Sequence, residues 1–130
     1  MLNRGSFFKR RFYRIPFKNP IEFMILKYRH RNIAHLSAKR GSANGFDFGE
    51  DGLSFVSPYC LPEDMILRVV FDLPEFGEKR VLAKVVRSTS FDEGYLTAVQ
   101  FLNMNGPRKE EFRKYITGET KKSYKFLKYL

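Results

Sequence analysis

Two stretches of the sequence carry side chains whose types and spacing can do chemistry. The first is Arg10-Arg11-Phe12-Tyr13-Arg14, where Arg10 and Arg14 stand four residues apart, with Lys9 just before them. Pro16 disfavours helix in the residue that precedes it, so the segment is biased toward an extended course. A guanidinium presents a planar fork of donors that can meet the O6/N7 edge of guanine, stack on a base or pair with phosphate, where lysine supplies charge alone. Arg10 and Arg14 on such an arm can close over a guanine nucleotide, and can equally form a solvated basic tail. The second stretch is Asp47-Phe48-Gly49-Glu50-Asp51-Gly52, flanked by the apolar Phe46, Leu53 and Phe55. A carboxylate at Asp47 can accept from the two adjacent donors of a guanine Watson–Crick edge, while Gly52 permits a tight backbone behind it. Taken alone, this stretch also reads as a simple polar turn.

Nothing comparable supports catalysis. The sequence has no Ser/His/acid order, nucleophile elbow, phosphate-binding glycine loop or metal-ligand pair. His30 and His35 read as surface or edge-strand residues in a basic stretch, and Cys60, the one cysteine, as a partly buried inert thiol. A single cysteine excludes an internal disulfide framework and a multi-thiolate metal site. The expectation is a non-enzymatic protein with no catalytic residue, no metal and no cofactor.

The charge points to an anionic partner. From Met1 to Arg40 there are eleven Lys/Arg against Glu22 alone, while the thirteen basic and thirteen acidic residues that follow cancel, so the net +10 resides in the first third. A neutral body with a basic N-terminal third implies an anionic partner met by that third; nucleic acid, an anionic membrane surface and a small phosphate-bearing ligand all satisfy this. The chain has 130 residues, a one-domain length that supports its own core. No apolar run reaches the roughly 18 residues of a membrane span, and Met1 to Lys9 lacks the apolar stretch of a secretory leader, so the expected location is cytoplasmic.

The elements that must position these side chains are mostly strands. Residues 1–18 read as a basic, aromatic arm. Ile21 to Leu26 reads as a first strand and Ile33 to Lys39 as a weakly alternating second, with Gly41 to Gly45 as a loop or bulge. Phe46 to Phe48 and Leu53 to Val56 flank the turn at Gly49 to Gly52. Met65 to Leu73, Arg80 to Ser88 and Tyr95 to Leu102 follow as strands joined by Gly- and Pro-bearing turns, a pattern of antiparallel barrels and sandwiches. After Gly106, Pro107 and the spacing of Phe112, Tyr115 and Ile116 predict a short amphipathic helix that Gly118 ends. Residues 118–130 read as a Lys-rich tail or further helix.

Arm and turn together resemble the PilZ domain, the small bacterial receptor for cyclic di-GMP. Arg10 to Arg14 is similar to that family's Arg-x-x-x-Arg motif before its first strand, and Asp47 to Gly52 to its Asp/Asn-x-Ser-x-x-Gly motif between two early strands. Val81 to Arg87 and Leu96 to Phe101 resemble two later strands of the family, and Arg108 to Ile116 its closing helix, so the resemblance covers about residues 9 to 117. It implies an all-β fold, a six- or seven-stranded antiparallel β-barrel over residues 19–117 with a C-terminal α-helix across one opening. It also implies a cyclic di-GMP receptor whose arm folds over the ligand and changes the surface shown to a protein partner. Arg10 and Arg14 would hold guanine and phosphate, Asp47 would read a guanine edge, and Gly49 and Gly52 would let backbone approach the ligand. Arg11, Lys9 and Arg87 would add electrostatic help. The family's serine is Gly49 here; losing one neutral hydrogen bond costs about 0.5–1.5 kcal/mol, so binding is expected to weaken severalfold and persist. The rival expectations are a basic barrel that binds RNA or an anionic membrane, and a degenerate PilZ domain that binds only protein.

Overall fold

In a computed structural model of the chain, residues 14–28, 31–32 and 40–128 are described. Among the described residues, eight strands and one helix follow in order: β1 (Arg14–Pro16), β2 (Pro20–Tyr28), β3 (Arg31–Asn32), β4 (Arg40–Gly49), β5 (Gly52–Ser57), β6 (Ile66–Leu73), β7 (Gly77–Phe91), β8 (Gly94–Phe101) and α1 (Gly106–Lys128). Every pairing is antiparallel, and β4, β5, β8, β7, β6 and β2 close on themselves through β4–β2 contacts. The expected barrel with one C-terminal helix is the observed architecture. Strict alternation drives it: β6 turns Leu67, Val69, Phe71 and Leu73 inward and Arg68 and Asp72 outward, and β7 buries Val81, Ala83 and Val85.

The length of β4 shapes the site. Its first half, Arg40 to Asn44, pairs with β2, and its last residues, Asp47 to Gly49, pair with β1. Strands β1 and β2 therefore lie end to end along one edge of β4. Phe17 donates its amide to the Phe46 carbonyl at 3.1 Å, and Gly45 donates to the Asn19 carbonyl at 2.8 Å, which fixes the crossing between them. This corrects two expectations. Residues 41–45 are strand, with the bulge between Gly45 and Asp47, and residues 14–17 belong to the barrel, since Ile15 and Phe17 are buried in its core. The expected strand over Ile33 to Lys39 lies outside the described residues.

Aromatic rings fill one end of the barrel. Phe48 packs against Phe17, Phe71, Phe101, Phe112 and Tyr115 at centroid distances of 5.1–6.1 Å. Phe112 and Tyr115 come from α1, so the helix is the lid of that end. Burying a phenylalanine contributes roughly 1.5–3 kcal/mol, which makes this cluster the main anchor of the helix. Asn105 caps α1 by accepting the Arg108 amide on its side-chain oxygen at 2.8 Å. The helix does not stop at Gly118 but runs through it to Lys128. A Cβ at Gly118 would meet nothing within 4 Å, and the residue lacks the positive φ of a helix-ending glycine, so it costs the helix only about 1 kcal/mol.

Candidate functional site

Arg14 opens β1 directly opposite Gly49 of β4, and because Ile15 and Phe48 point into the core, Arg14 and Gly49 share the outer face. The Arg14 side chain reaches to the β4–β5 turn. There its Nη1 donates to Asp47 Oδ1 at 3.1 Å and its Nη2 to Asp51 Oδ1 at 3.4 Å. The group is largely withdrawn from water, with Arg14 12%, Asp47 15% and Asp51 28% exposed in their side chains. The Nε of Arg14 is buried and has no hydrogen-bond partner. A buried donor left unpaired costs about 1–3 kcal/mol, so the guanidinium sits in this cradle with one of its donors unsatisfied.

Gly52 is required here by space. A Cβ on it would stand 2.1 Å from the Val99 carbonyl oxygen of β8 and 3.2 Å from Arg14 Nη2. Any side chain at this position would collide with the neighbouring strand and then with the guanidinium. The turn is tied down on both sides of Gly52. Phe101 donates its amide to the Asp51 carbonyl at 2.8 Å. Arg113 of α1 reaches both carboxylate oxygens of Glu50, at 3.3 and 3.4 Å, and also bonds Glu110 at 2.6 Å. The hydrogen bond to Glu50, then the charges of Glu50 and Glu110, push the Arg113 guanidinium above its ordinary value. The helix lid is thus joined to the turn that carries the carboxylates.

From Asp47 the register continues across the outer face, Asp47 opposite Ser54 of β5, Ser54 opposite Ala98 of β8, and Ala98 opposite Arg87 of β7. At about 4.8 Å per strand, Arg87 stands roughly 14 Å from Asp47 along this row. Both ends of the row follow a β-bulge, at Gly45/Asp47 and at Val85/Arg87, devices that re-aim side chains. The face has a cation at each end, a carboxylate pair at one of them and small side chains between. It can hold a flat, phosphate-bearing molecule, with donors for phosphate and acceptors for an N–H edge.

Of the sequence-based candidates, the structure brings together Arg14, Asp47, Gly49 and Gly52, and places Arg87 on the same face. Lys9, Arg10 and Arg11 lie outside the described residues, as do His30 and His35. Asp51 and the Glu50–Arg113 bridge are additions that spacing alone did not signal, because they depend on the turn's path. Cys60 is exposed rather than partly buried, since it lies in the loop after β5. Among the described residues no three His, Cys, Asp or Glu side chains gather as a metal site, and no helix is long and apolar enough to cross a membrane. A cavity of about 780 Å³ opens on a different wall, between β2, β4, β6 and β7. Its Arg40, Arg68 and Arg80 are nearly balanced by Glu22 and Glu78, and it contains none of the motif residues.

The structure is a closed antiparallel barrel with a helix lid, with an arginine held by carboxylates beside a glycine turn. The chain belongs to the PilZ domain family, whose model matches residues 8–118. Solved structures agree in fold. The YcgR protein of Escherichia coli in complex with cyclic di-GMP superposes with a TM-score of 0.71 at 14% identity, covering 92% of this chain and 50% of that one. The PilZ domain of YcgR with cyclic di-GMP gives 0.63 at 12% identity, over 94% of this chain and 99% of that one. The K. pneumonia MrkH–cyclic di-GMP complex gives 0.68 at 16% identity, over 96% and 56%. At these identities the likeness is one of fold, and the chain spans about half the length of full YcgR and of MrkH. No curated protein matches the chain.

Proposed function

We propose that this PilZ domain is a receptor for cyclic di-GMP, working without catalysis and passing on its occupancy through a changed surface offered to a protein partner. The observation that carries the reading is the Arg14 guanidinium held over Gly52 by Asp47 and Asp51, with its Nε buried and unpaired. It joins the second arginine of the arm motif to the carboxylate of the turn motif, 33 residues apart in sequence. The solved neighbours that contain cyclic di-GMP support the same ligand class.

In this reading the ligand phosphate takes the Arg14 donors by charge-assisted bonds, roughly twice as strong as neutral ones. Asp47 accepts from the guanine edge, and Arg10, Arg11 and Lys9 close from the arm while Arg87 faces the far end. The Glu50–Arg113 bridge offers a route from the occupied turn to α1, whose outer surface is then the natural place for a partner to sense the ligand.

Calorimetric titration of the full chain tests this. Cyclic di-GMP is expected to bind, and Arg14→Ala to weaken it at least tenfold, from loss of a charge-assisted donor pair worth about 1.5–3 kcal/mol. Cyclic di-AMP is expected to bind more weakly, because adenine presents a donor beside an acceptor where Asp47 needs two donors. Equal affinity for both nucleotides, or an unchanged Arg14→Ala variant, would overturn the reading. Heat with single-stranded RNA and none with cyclic di-GMP would favour the nucleic-acid alternative.

A further inference from the structure

The cavity on the wall of β2, β4, β6 and β7 shares no residue with the turn that holds Arg14. Along β4, Arg40 and Asp47 stand about 20 Å apart, at roughly 3.3 Å per residue. Most of the lining is exposed, so the cavity is an open groove on the barrel wall. Two cations in it lack a counterion. Met24 of β2 has Arg40 of β4 opposite it on one side and Arg68 of β6 on the other, which sets the two arginines about 10 Å apart across an apolar side chain. Every Asp and Glu of the chain lies among the described residues, and none stands within 4 Å of either guanidinium. By contrast, Arg14, Arg80 and Arg113 each hold a carboxylate.

Beside this pair stands Tyr59, 51% exposed yet held in place. Its ring meets Phe23 edge-on at 6.3 Å, Phe23 stacks on Phe55 at 5.3 Å, and its amide donates to Ser57 Oγ at 3.1 Å. A Cβ at Gly41 would collide with the Phe23 ring, so a glycine there makes the seat. None of the chain's lysines lines the groove. Arginine, tyrosine and methionine without lysine is the composition of a protein-binding surface rather than of a solvated charged face. We propose that this wall docks an extended acidic segment of a protein partner, whether or not the nucleotide site is filled. The segment carries two carboxylates on one face with an apolar side chain between them. An extended chain repeats each face about every 6.6 Å, so carboxylates four residues apart span about 13 Å and the residue midway lies over Met24. Arginine side chains are long enough to bridge the few Å of difference at each end. Glu22 and Glu78 in the same groove repel a polyanion whose charge repeats without a break, which favours a peptide over nucleic acid or an anionic membrane.

Selection of random phage-displayed peptides against the full chain tests this, with the Arg40→Ala/Arg68→Ala double variant for counter-selection and amide NMR to map the peptides retained. These are expected to carry two acidic residues four apart with an apolar residue midway. They should shift the amides of Met24, Tyr59, Arg68 and Val70, with or without cyclic di-GMP present. Arg40→Ala and Arg68→Ala should each weaken binding about two- to fivefold, the worth of one exposed ion pair, and the double variant about tenfold. Melting temperatures should not change, because neither arginine has an ion pair to lose. Arg10→Ala/Arg11→Ala, on the arm, should bind the peptides as wild type does. The proposal is overturned if no peptide prefers the wild type to the double variant, or if replacing both acidic residues by glutamine leaves binding unchanged. It is also overturned if single-stranded RNA or vesicles of anionic lipid shift the same amides at lower concentration than the peptides do. Shifts there that grow with protein concentration alone would make the occupant a second copy of this chain, and would overturn it too.

Discussion

Asp51 shares the Arg14 guanidinium with Asp47, and this makes it an internal competitor for any phosphate that needs the same donors. Its contact is the longer of the two, 3.4 Å against 3.1 Å, and its side chain is the more exposed, 28% against 15%. It is therefore the carboxylate that yields when an anion arrives. The perturbation that isolates this effect is Asp51→Asn, which keeps shape and hydrogen-bonding capacity and removes the charge. A phosphate oxygen on Arg14 Nη2 would lie about 5 Å from the Asp51 carboxylate, where Coulomb repulsion is about 0.8 kcal/mol in bulk water and about 3 kcal/mol at an effective dielectric of 20. Partial exposure favours the lower part of that range, so the variant should gain about 1 kcal/mol, roughly a fivefold tighter affinity for cyclic di-GMP. Stability should fall by less than about 1 kcal/mol, the ordinary worth of a partly exposed ion pair. Calorimetry at about 0.05 M and about 0.5 M salt provides the check, since a charge effect must shrink as the Debye length falls below the separation of the groups. Weaker binding by Asp51→Asn would refute the reasoning and make Asp51 an acceptor for the ligand.

Two further outcomes follow from the lid. Gly118→Ala should stabilise the protein by about 0.5–1 kcal/mol, a rise in melting temperature of roughly 2–6 °C, because the glycine is inside α1 with open space around it; a lower melting temperature would mean that the helix ends there. Burial, and secondarily the charge of Glu119, raise the Tyr115 phenol above its ordinary 10.0. A raised folded-state value means that the neutral phenol is favoured in the fold, so its contribution is intact below pH 10 and is lost as pH rises beyond it. Urea unfolding at pH 8 and pH 11 should show a smaller alkaline loss in Tyr115→Phe than in wild type, and an equal loss would reject the assignment.

Much of this molecule could be read from sequence, and the exceptions have physical causes. Strands β6, β7 and β8 announce themselves by alternation, and Phe112, Tyr115 and Ile116 announce a helix lid. The Arg14 and Asp47 motifs were recognisable because each is a short local pattern. Residues 41–45 read as loop because their composition is that of a turn. They are strand because β4 is held on both sides, and Gly45 lets the Phe17 and Asn19 carbonyls approach where a Cβ would collide at 2.5 and 2.8 Å. The barrel role of Ile15 and Phe17 was hidden by the charge of the arm around them, since their burial depends on pairing with Phe48 and Phe46, far along the chain. Gly118 misled for a different reason: a glycine inside a helix costs only about 1 kcal/mol and ends it only when it takes a positive φ, which Gly118 does not. Asp51 and the Glu50–Arg113 bridge were illegible because turn path and register, not residue type, decide which side chains meet on one face.

The most direct test of the central claim is a two-dimensional amide NMR titration of the full chain with cyclic di-GMP. The account predicts saturable shifts at Arg14, at Asp47 to Ser54, at Ala98 and at Arg87, with smaller changes at Arg113 through Glu50. It predicts little change on the wall formed by Glu22, Arg68 and Arg80. Shifts confined to that other wall, or none at any nucleotide concentration, would contradict it.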